Sequence, residues 1–127
     1  LVAAVRADDV AALRAMRDAG RCMSACNRFG ESILHTAARR GSRAVVAFLL
    51  ESGAPPGACD DCGRNALHQA LWTAEPRFDV VTLLVNADVR LLRCVDKRGA
   101  PPLQYARPEH WELWCRFFHS KKHLYWP

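Results

Sequence analysis

The feature that most limits what this chain can fold into is a frame that returns at a fixed spacing. Aligned on glycine, three stretches share it: NRFGESILHTAARRG (27–41), DDCGRNALHQAL (60–71) and DKRGAPPLQYA (96–106). Gly30 and Gly63 are 33 residues apart, and Gly63 and Gly99 are 36 apart. Asn27, Asp60 and Asp96 open the frame, while Leu34, Leu67 and Leu103, and Ala37, Ala70 and Ala106, recur in phase. Apolar second halves follow the first two copies, RAVVAFLLESGA (43–54) and FDVVTLLVNA (78–87). VAALRAMRDAG (10–20) precedes the first copy, with Gly20 and Gly53 again 33 apart. A repeat of this length is one supersecondary unit that buries its apolar face only by stacking on its neighbours.

The chemistry of the frame says what each half does. Asn or Asp with Gly close behind is turn chemistry, because Gly takes positive φ without steric cost. Small Ala residues let two short helices approach. Val45, Val46, Phe48, Leu49 and Leu50, and Val80, Val81, Leu83 and Leu84, are too apolar for helices with one wet side and suit a stack. Gly20 and Gly53 are placed as left-handed helix caps. After the second copy's apolar half Asn86 or Asp88 is expected in that role, since both types tolerate the conformation.

These residues resemble the ankyrin repeat, whose frame is D-x-x-G-x-T-P-L-H-x-A in a unit of about 33 residues. The resemblance implies an all-α solenoid of helix-turn-helix units joined by β-turn fingers, in a single domain over 1–127. Residues 1–26 are a partial unit, 27–59 and 60–95 full units, and 96–127 a divergent capping unit with a tail. An insertion near 73–79 widens the third unit, and Pro76 there must start a helix or lie in the loop, which is expected to protrude. In the family, Thr or Ser and His tie turn to helix by hydrogen bonds. Ser32 and His35 are expected to keep this tie, Asn65 and His68 are candidates for it, and Pro101 and Gln104 are expected to lose it.

Cys59-Asp-Asp-Cys62 followed by His68 raises a metal or redox reading. Zn²⁺ needs four ligands converging on one point, yet Cys26 and Cys59 occupy equivalent places in successive units. Stacked helices stand roughly 8–10 Å apart, too far to share an ion or a disulfide. A redox pair needs a helix N-terminus just after its first Cys, and here Gly63 and a turn intervene. No G-x-S-x-G elbow or phosphate-binding glycine loop is present. The expectation is therefore no enzyme, no cofactor and no metal. The six Cys suit reduced thiols better than a disulfide framework, which points to the cytoplasm or nucleus. The longest apolar run, Ala44 to Leu50, is seven residues, so no membrane insertion is expected. A start at Leu rather than Met suggests a piece of a longer chain.

What remains is surface. The resemblance makes the fingertips and the exposed side of each first helix a binding face. The fingertips are Arg28, Phe29 and Glu31, then Asp61, Cys62 and Arg64, then Lys97, Arg98 and Ala100. The helix row is Arg6, Arg39 and Trp72, at intervals of 33, flanked by Arg40, Thr73 and Arg107. Arg and Trp are frequent interface hot spots, and Arg grips carboxylate or phosphate in bidentate fashion. The implied work is protein–protein recognition of an acidic or phosphorylated segment. With a net charge of +5, nucleic-acid binding through the same arginines is the alternative, as is a regulatory or dimerisation segment of a larger protein. Seven of the eleven aromatic residues lie in 105–127. Trp111, Trp114 and Phe118 form a helical stripe that is either core or a surface for self-association.

Overall fold

The computed structural model describes residues 2–22, 26–40, 42–73 and 75–125. Gly41, Ala74 and Trp126, from the stretches singled out above, lie outside the described residues. Among the described residues the chain is helical, apart from an isolated antiparallel bridge between Cys26 and Ser32. Helices α1 (Val2–Arg6) and α2 (Val10–Asp18) form a first pair, α3 (Ile33–Arg40) and α4 (Arg43–Glu51) a second, and α5 (Ala66–Leu71) and α6 (Phe78–Ala87) a third. The first helices stack in one row, α1 on α3 on α5, and the second helices in another, α2 on α4 on α6.

Short polar side chains start α2 and α4. Asp9 accepts from the Ala12 N–H (3.0 Å) and Ser42 from the Val45 N–H (3.3 Å), so residues 33 apart do the same task. Gly20 (φ 94°) and Gly53 (φ 91°) turn the chain out of α2 and α4. At the end of α6 the expected left-handed Asn86 or Asp88 is not found. Asp88 is extended (φ −158°) and its carboxylate instead accepts from the Arg90 N–H (3.0 Å), opening the 3₁₀ helix Val89–Arg93. A side chain able to cap the next turn removes the need for a strained exit.

Between pairs the chain forms the fingers, and their geometry is triplicated. Asn27 N–H donates to the Glu31 carbonyl (3.0 Å), Asp60 N–H to Arg64 (2.9 Å) and Asp96 N–H to Ala100 (3.0 Å). The opening side chain caps the loop from within: Asn27 Oδ1 accepts from Phe29 and Glu31 N–H, Asp60 Oδ1 from Cys62 and Arg64, and Asp96 Oδ1 from Arg98 and Ala100, at 2.9–3.1 Å. Adjacent fingers are joined by Asp61 N–H to Phe29 carbonyl and Lys97 N–H to Cys62 carbonyl, both 2.9 Å. This close approach leaves no room at Gly63 (φ 79°), where a Cβ would stand 3.2 Å from Asp96 Cα and from Lys97 N. At Gly99 (φ 81°) nothing lies within 4 Å. Gly99→Ala is expected to lose about 1 kcal/mol for its left-handed backbone alone. Gly63→Ala should lose about 1–2 kcal/mol more, because the next finger's backbone must shift. Urea midpoints of the two variants measure the difference, and equal midpoints would contradict the close finger packing.

Two buried histidines tie fingers to helices and unit to unit. His35 Nδ1 accepts from the Ser32 N–H (3.1 Å) and hydroxyl (2.8 Å), so the proton sits on Nε2, which donates to the Arg64 carbonyl of the next finger (2.7 Å). His68 Nδ1 accepts from the Asn65 N–H (3.1 Å) and its Nε2 donates to the Ala100 carbonyl (3.1 Å). Asn65 also caps α5 through the His68 N–H (3.1 Å). In the last copy Pro101 and Pro102 supply no N–H donors, and Pro108 holds Arg107 extended (φ −65°, ψ 140°). The first helix therefore shrinks to the 3₁₀ turn Pro102–Tyr105, and the Tyr105 hydroxyl donates to Asp96.

The core runs unbroken through the stack. Leu34, Ala37, Val45, Val46 and Leu49 repeat one unit on as Leu67, Ala70, Val80, Val81 and Leu84, all buried. Pro76 lies in the connection ahead of α6. Helices α7 (Trp111–Ser120) and α8 (Lys122–Tyr125) close the C-terminal end. Trp114, Phe118 and Tyr125 are buried there, and Trp114 meets Phe78 of α6 edge-on at 4.8 Å between ring centroids. The aromatic stripe thus splits: Trp114 and Phe118 are core, whereas Trp111 is 45% exposed.

Candidate functional site

The row of fingertips and first helices carries the side chains that face solvent. On the first finger Phe29 is 53% exposed, with the Arg28 guanidinium 4.8 Å from its ring centroid. Glu31 is tied down. It accepts from Asn27 Nδ2 (3.2 Å) and pairs with Arg39 Nη1 (2.9 Å). Burial works against the Glu31 carboxylate, but Asn27 and Arg39 outweigh it and hold the group below its ordinary range. Two predicted contacts, Glu31 and Arg39, therefore bind each other. Arg6 and Arg40 are exposed, and among the described residues Arg28 and Arg40 have no carboxylate within salt-bridge distance.

On the second finger Asp61 and Cys62 are exposed, while Arg64 turns back so that its Nε donates to Asp60 Oδ2 (2.9 Å). Asp60 is buried, which raises its pKa, but the Arg64 and Cys62 N–H groups and the Arg64 charge hold it lowered overall. On the third finger Lys97 and Arg98 are exposed, and neither has an ion-pair partner among the described residues.

Trp72 ends α5 and is 51% exposed. Arg107 lies over its indole ring (4.7 Å to the centroid) and donates Nε–H to the Trp72 carbonyl (2.9 Å). One guanidinium thus fixes both backbone and ring of a residue 35 positions away. Thr73 corrects the expected row. It is buried, and its hydroxyl contacts the Ala70 (3.2 Å) and Glu75 (2.6 Å) carbonyls. The widened connection after α5 turns this hydroxyl inward to serve the loop's own carbonyls, so it presents nothing to a partner.

Between the second and third fingers these elements leave an open groove of about 670 Å³. Cys62, Arg64, Trp72, Lys97, Arg98 and Ala100 line it, so it brings together six of the residues picked from the sequence. Arg28, Phe29, Glu31, Arg39 and Arg40 lie outside it, on the preceding unit. Gln69, Asp96, Gln104 and Tyr105 also line it and escaped sequence reasoning. The one signal for Gln69 is a long amide beside His68, in the free place of the frame that Thr36 and Tyr105 fill in the other units. Tyr105 is pushed up to about 12 by burial and by its bond to Asp96, so it remains a neutral donor.

The cysteines of CDDC take no part in a shared centre. Cys59 Sγ contacts the Gly57 carbonyl (3.5 Å), whereas Cys62 faces the groove. Burial, then the neighbouring Cys94 and Asp60, raise the Cys59 pKa, the opposite of what a reactive thiolate needs. Among the described residues no group of three or more His, Cys, Asp or Glu is placed to hold a metal ion. No helix among them is long and apolar enough to cross a membrane.

Comparison with known proteins meets this geometry. The family model for ankyrin repeats matches residues 1–93 in three copies. E3 ubiquitin-protein ligase XBAT33 of Arabidopsis thaliana is 38% identical over 108 residues, which is 84% of this chain and 21% of that protein. Palmitoyltransferase AKR1 of Lachancea kluyveri is 36% identical over 74 residues, 58% of this chain and 10% of that protein. The chain thus spans about a fifth of one relative and a tenth of the other.

Proposed function

The chain belongs to the ankyrin repeat family, and on that premise we propose that it captures an acidic or phosphorylated segment of another protein along its fingertips and first helices. Ankyrin repeats are protein–protein interaction modules and typically non-catalytic. The observation that carries the finer reading is an imbalance of charge. Arg28, Arg40, Lys97 and Arg98 have no ion-pair partner among the described residues, whereas Glu31 and Asp60 are each neutralised by an arginine. Phe29 and Trp72 stand half-exposed among these cations as apolar anchors. Both relatives are named as enzymes, but the small share matched transfers no activity. We read the chain as a recognition segment acting in the cytoplasm or nucleus, with 96–127 as its capping unit.

The test uses fluorescently labelled peptides rich in Asp and Glu, the same peptides with phosphoserine, and neutral Asn/Gln counterparts. Acidic members should bind and neutral ones should not. The double variant Arg28→Glu/Arg40→Glu should weaken binding about tenfold or more, roughly 1.4 kcal/mol, with an unchanged helical CD signal. Unchanged affinity would overturn the reading. Nucleic-acid binding through the same cations predicts instead that short duplex DNA binds more tightly than any peptide, with a steep loss as salt rises.

A further inference from the structure

We infer that the groove between the second and third fingers is a carboxylate-reading subsite, with Gln69 bonding the main chain of the bound segment. The inference rests on the recognition role proposed above and names one place and one chemistry within it. Gln69 is buried, with 5% relative exposure, and lines the groove. Among the described residues nothing hydrogen-bonds to its side-chain amide. An amide carries a donor and an acceptor on one plane, which matches one peptide unit of an extended chain. Among the described residues the buried side-chain polar atoms without a partner are His110 Nδ1 and Trp114 Nε1, not the Gln69 amide, so water meets that amide in the free protein and a bound main chain would take the water's place.

The charged groups of the groove divide into spent and available. Asp96 is saturated: two finger N–H groups hold Oδ1 at 2.9 Å and the Tyr105 hydroxyl bonds Oδ2. Arg64 is spent on Asp60, a residue outside the groove lining, which accepts from Cys62 and Arg64 N–H and from Arg64 Nε, each at 2.9 Å. Lys97 and Arg98 stay available at the rim, so the surplus charge is positive. Two rim cations beside the fixed Asp96 carboxylate suit singly charged Asp or Glu side chains better than a phosphate dianion, which that carboxylate would repel more strongly.

Trp72 supplies the third element. Arg107 holds the indole from one side, in cation–π geometry and through the Trp72 carbonyl. The half-exposed ring takes an apolar side chain without having to be ordered first, which saves the entropy of fixing it on binding. The occupant is therefore an extended, unphosphorylated protein segment in which an acidic residue lies near an apolar one.

The same acidic, phosphoserine and neutral peptides provide the test, read by fluorescence anisotropy. Gln69→Leu should weaken acidic-peptide binding about tenfold while the melting temperature changes little, because the amide makes no hydrogen bond within the fold. Lys97→Glu/Arg98→Glu, both on an exposed fingertip, should lose binding at least as strongly with an unchanged CD signal. Peptides whose apolar residues are replaced by Ser should also bind more weakly. Phosphoserine peptides that bind more tightly than their Asp/Glu parents would overturn the carboxylate assignment. If Arg28→Glu/Arg40→Glu weakens binding while the groove variants do not, the subsite is refuted and the wider recognition reading stands. If none of the variants weakens binding, both fall.

Discussion

Trp114→Ala is expected to lower stability by about 3–5 kcal/mol, the range for deleting a large aromatic ring from a core. Trp114 is fully buried, with Phe78 at 4.8 Å and Phe117 and Phe118 at 6.0 Å between ring centroids. Total stability for a domain is about 5–15 kcal/mol, so the melting temperature should fall by ten degrees or more. The loss should also be uneven. Units of a solenoid touch only their neighbours, so α6, α7 and α8 should open first while α3 and α4 keep their amide protection in hydrogen exchange. Trp111→Ala on the same helix is the control. Its ring is 45% exposed, and its removal should shift the midpoint by a degree or two. Equal effects of the two variants would mean that α7 does not close the stack as described.

His68→Ala should lose about 2–4 kcal/mol, combining a cavity with broken hydrogen bonds. The imidazole is wholly buried and joins Asn65, at the start of α5, to the Ala100 carbonyl of the next finger. Its deletion severs the third unit from the last. Gln104→Ala, at the matching but exposed position of the last copy, should be nearly silent. The defect carries a pH signature. Burial, first, pushes His68 below its ordinary 6.5; the Ala100 carbonyl and the Asp96 and Asp60 carboxylates pull the other way, and Arg64 adds to the lowering. Folded His68 thus binds a proton less readily than unfolded His68. Its contribution is complete above pH 6.5 and is lost as the pH falls toward the folded-state pKa. The gap between wild-type and His68→Ala melting temperatures should narrow as the pH falls below 6.5. A gap that widens on acidification would mean that the buried ring is charged.

Much of this architecture was legible because backbone constraints write themselves into residue type. A finger needs an acceptor at Asn27, Asp60 or Asp96 and positive φ at Gly30, Gly63 or Gly99, and few residue types meet either demand. The brace of Ser32 with His35 was legible for the same reason. Side-chain direction on the exposed face was not. Arg107 reaches Trp72 across 35 residues, and Glu31 takes Arg39 across eight, with no periodicity to announce either pair. The inward turn of Thr73 depends on the path of the widened connection, which the frame does not specify. Asp88 could be read as a helix end but not as the start of the following 3₁₀ turn. The candidate site was therefore visible as a row of positions, while the groove itself depends on which of their charges are already spent inside the fold.

The most direct test of the recognition face is a ¹H–¹⁵N chemical-shift titration of the whole chain with the tightest-binding acidic peptide. Shifts should concentrate on the amides of Phe29, Asp61, Cys62, Lys97 and Arg98, the Gln69 side-chain amide and the Trp72 indole N–H, leaving α4 and α6 unmoved. Perturbations centred on α4, α6 or the exposed side of α7, with the fingers silent, would contradict it.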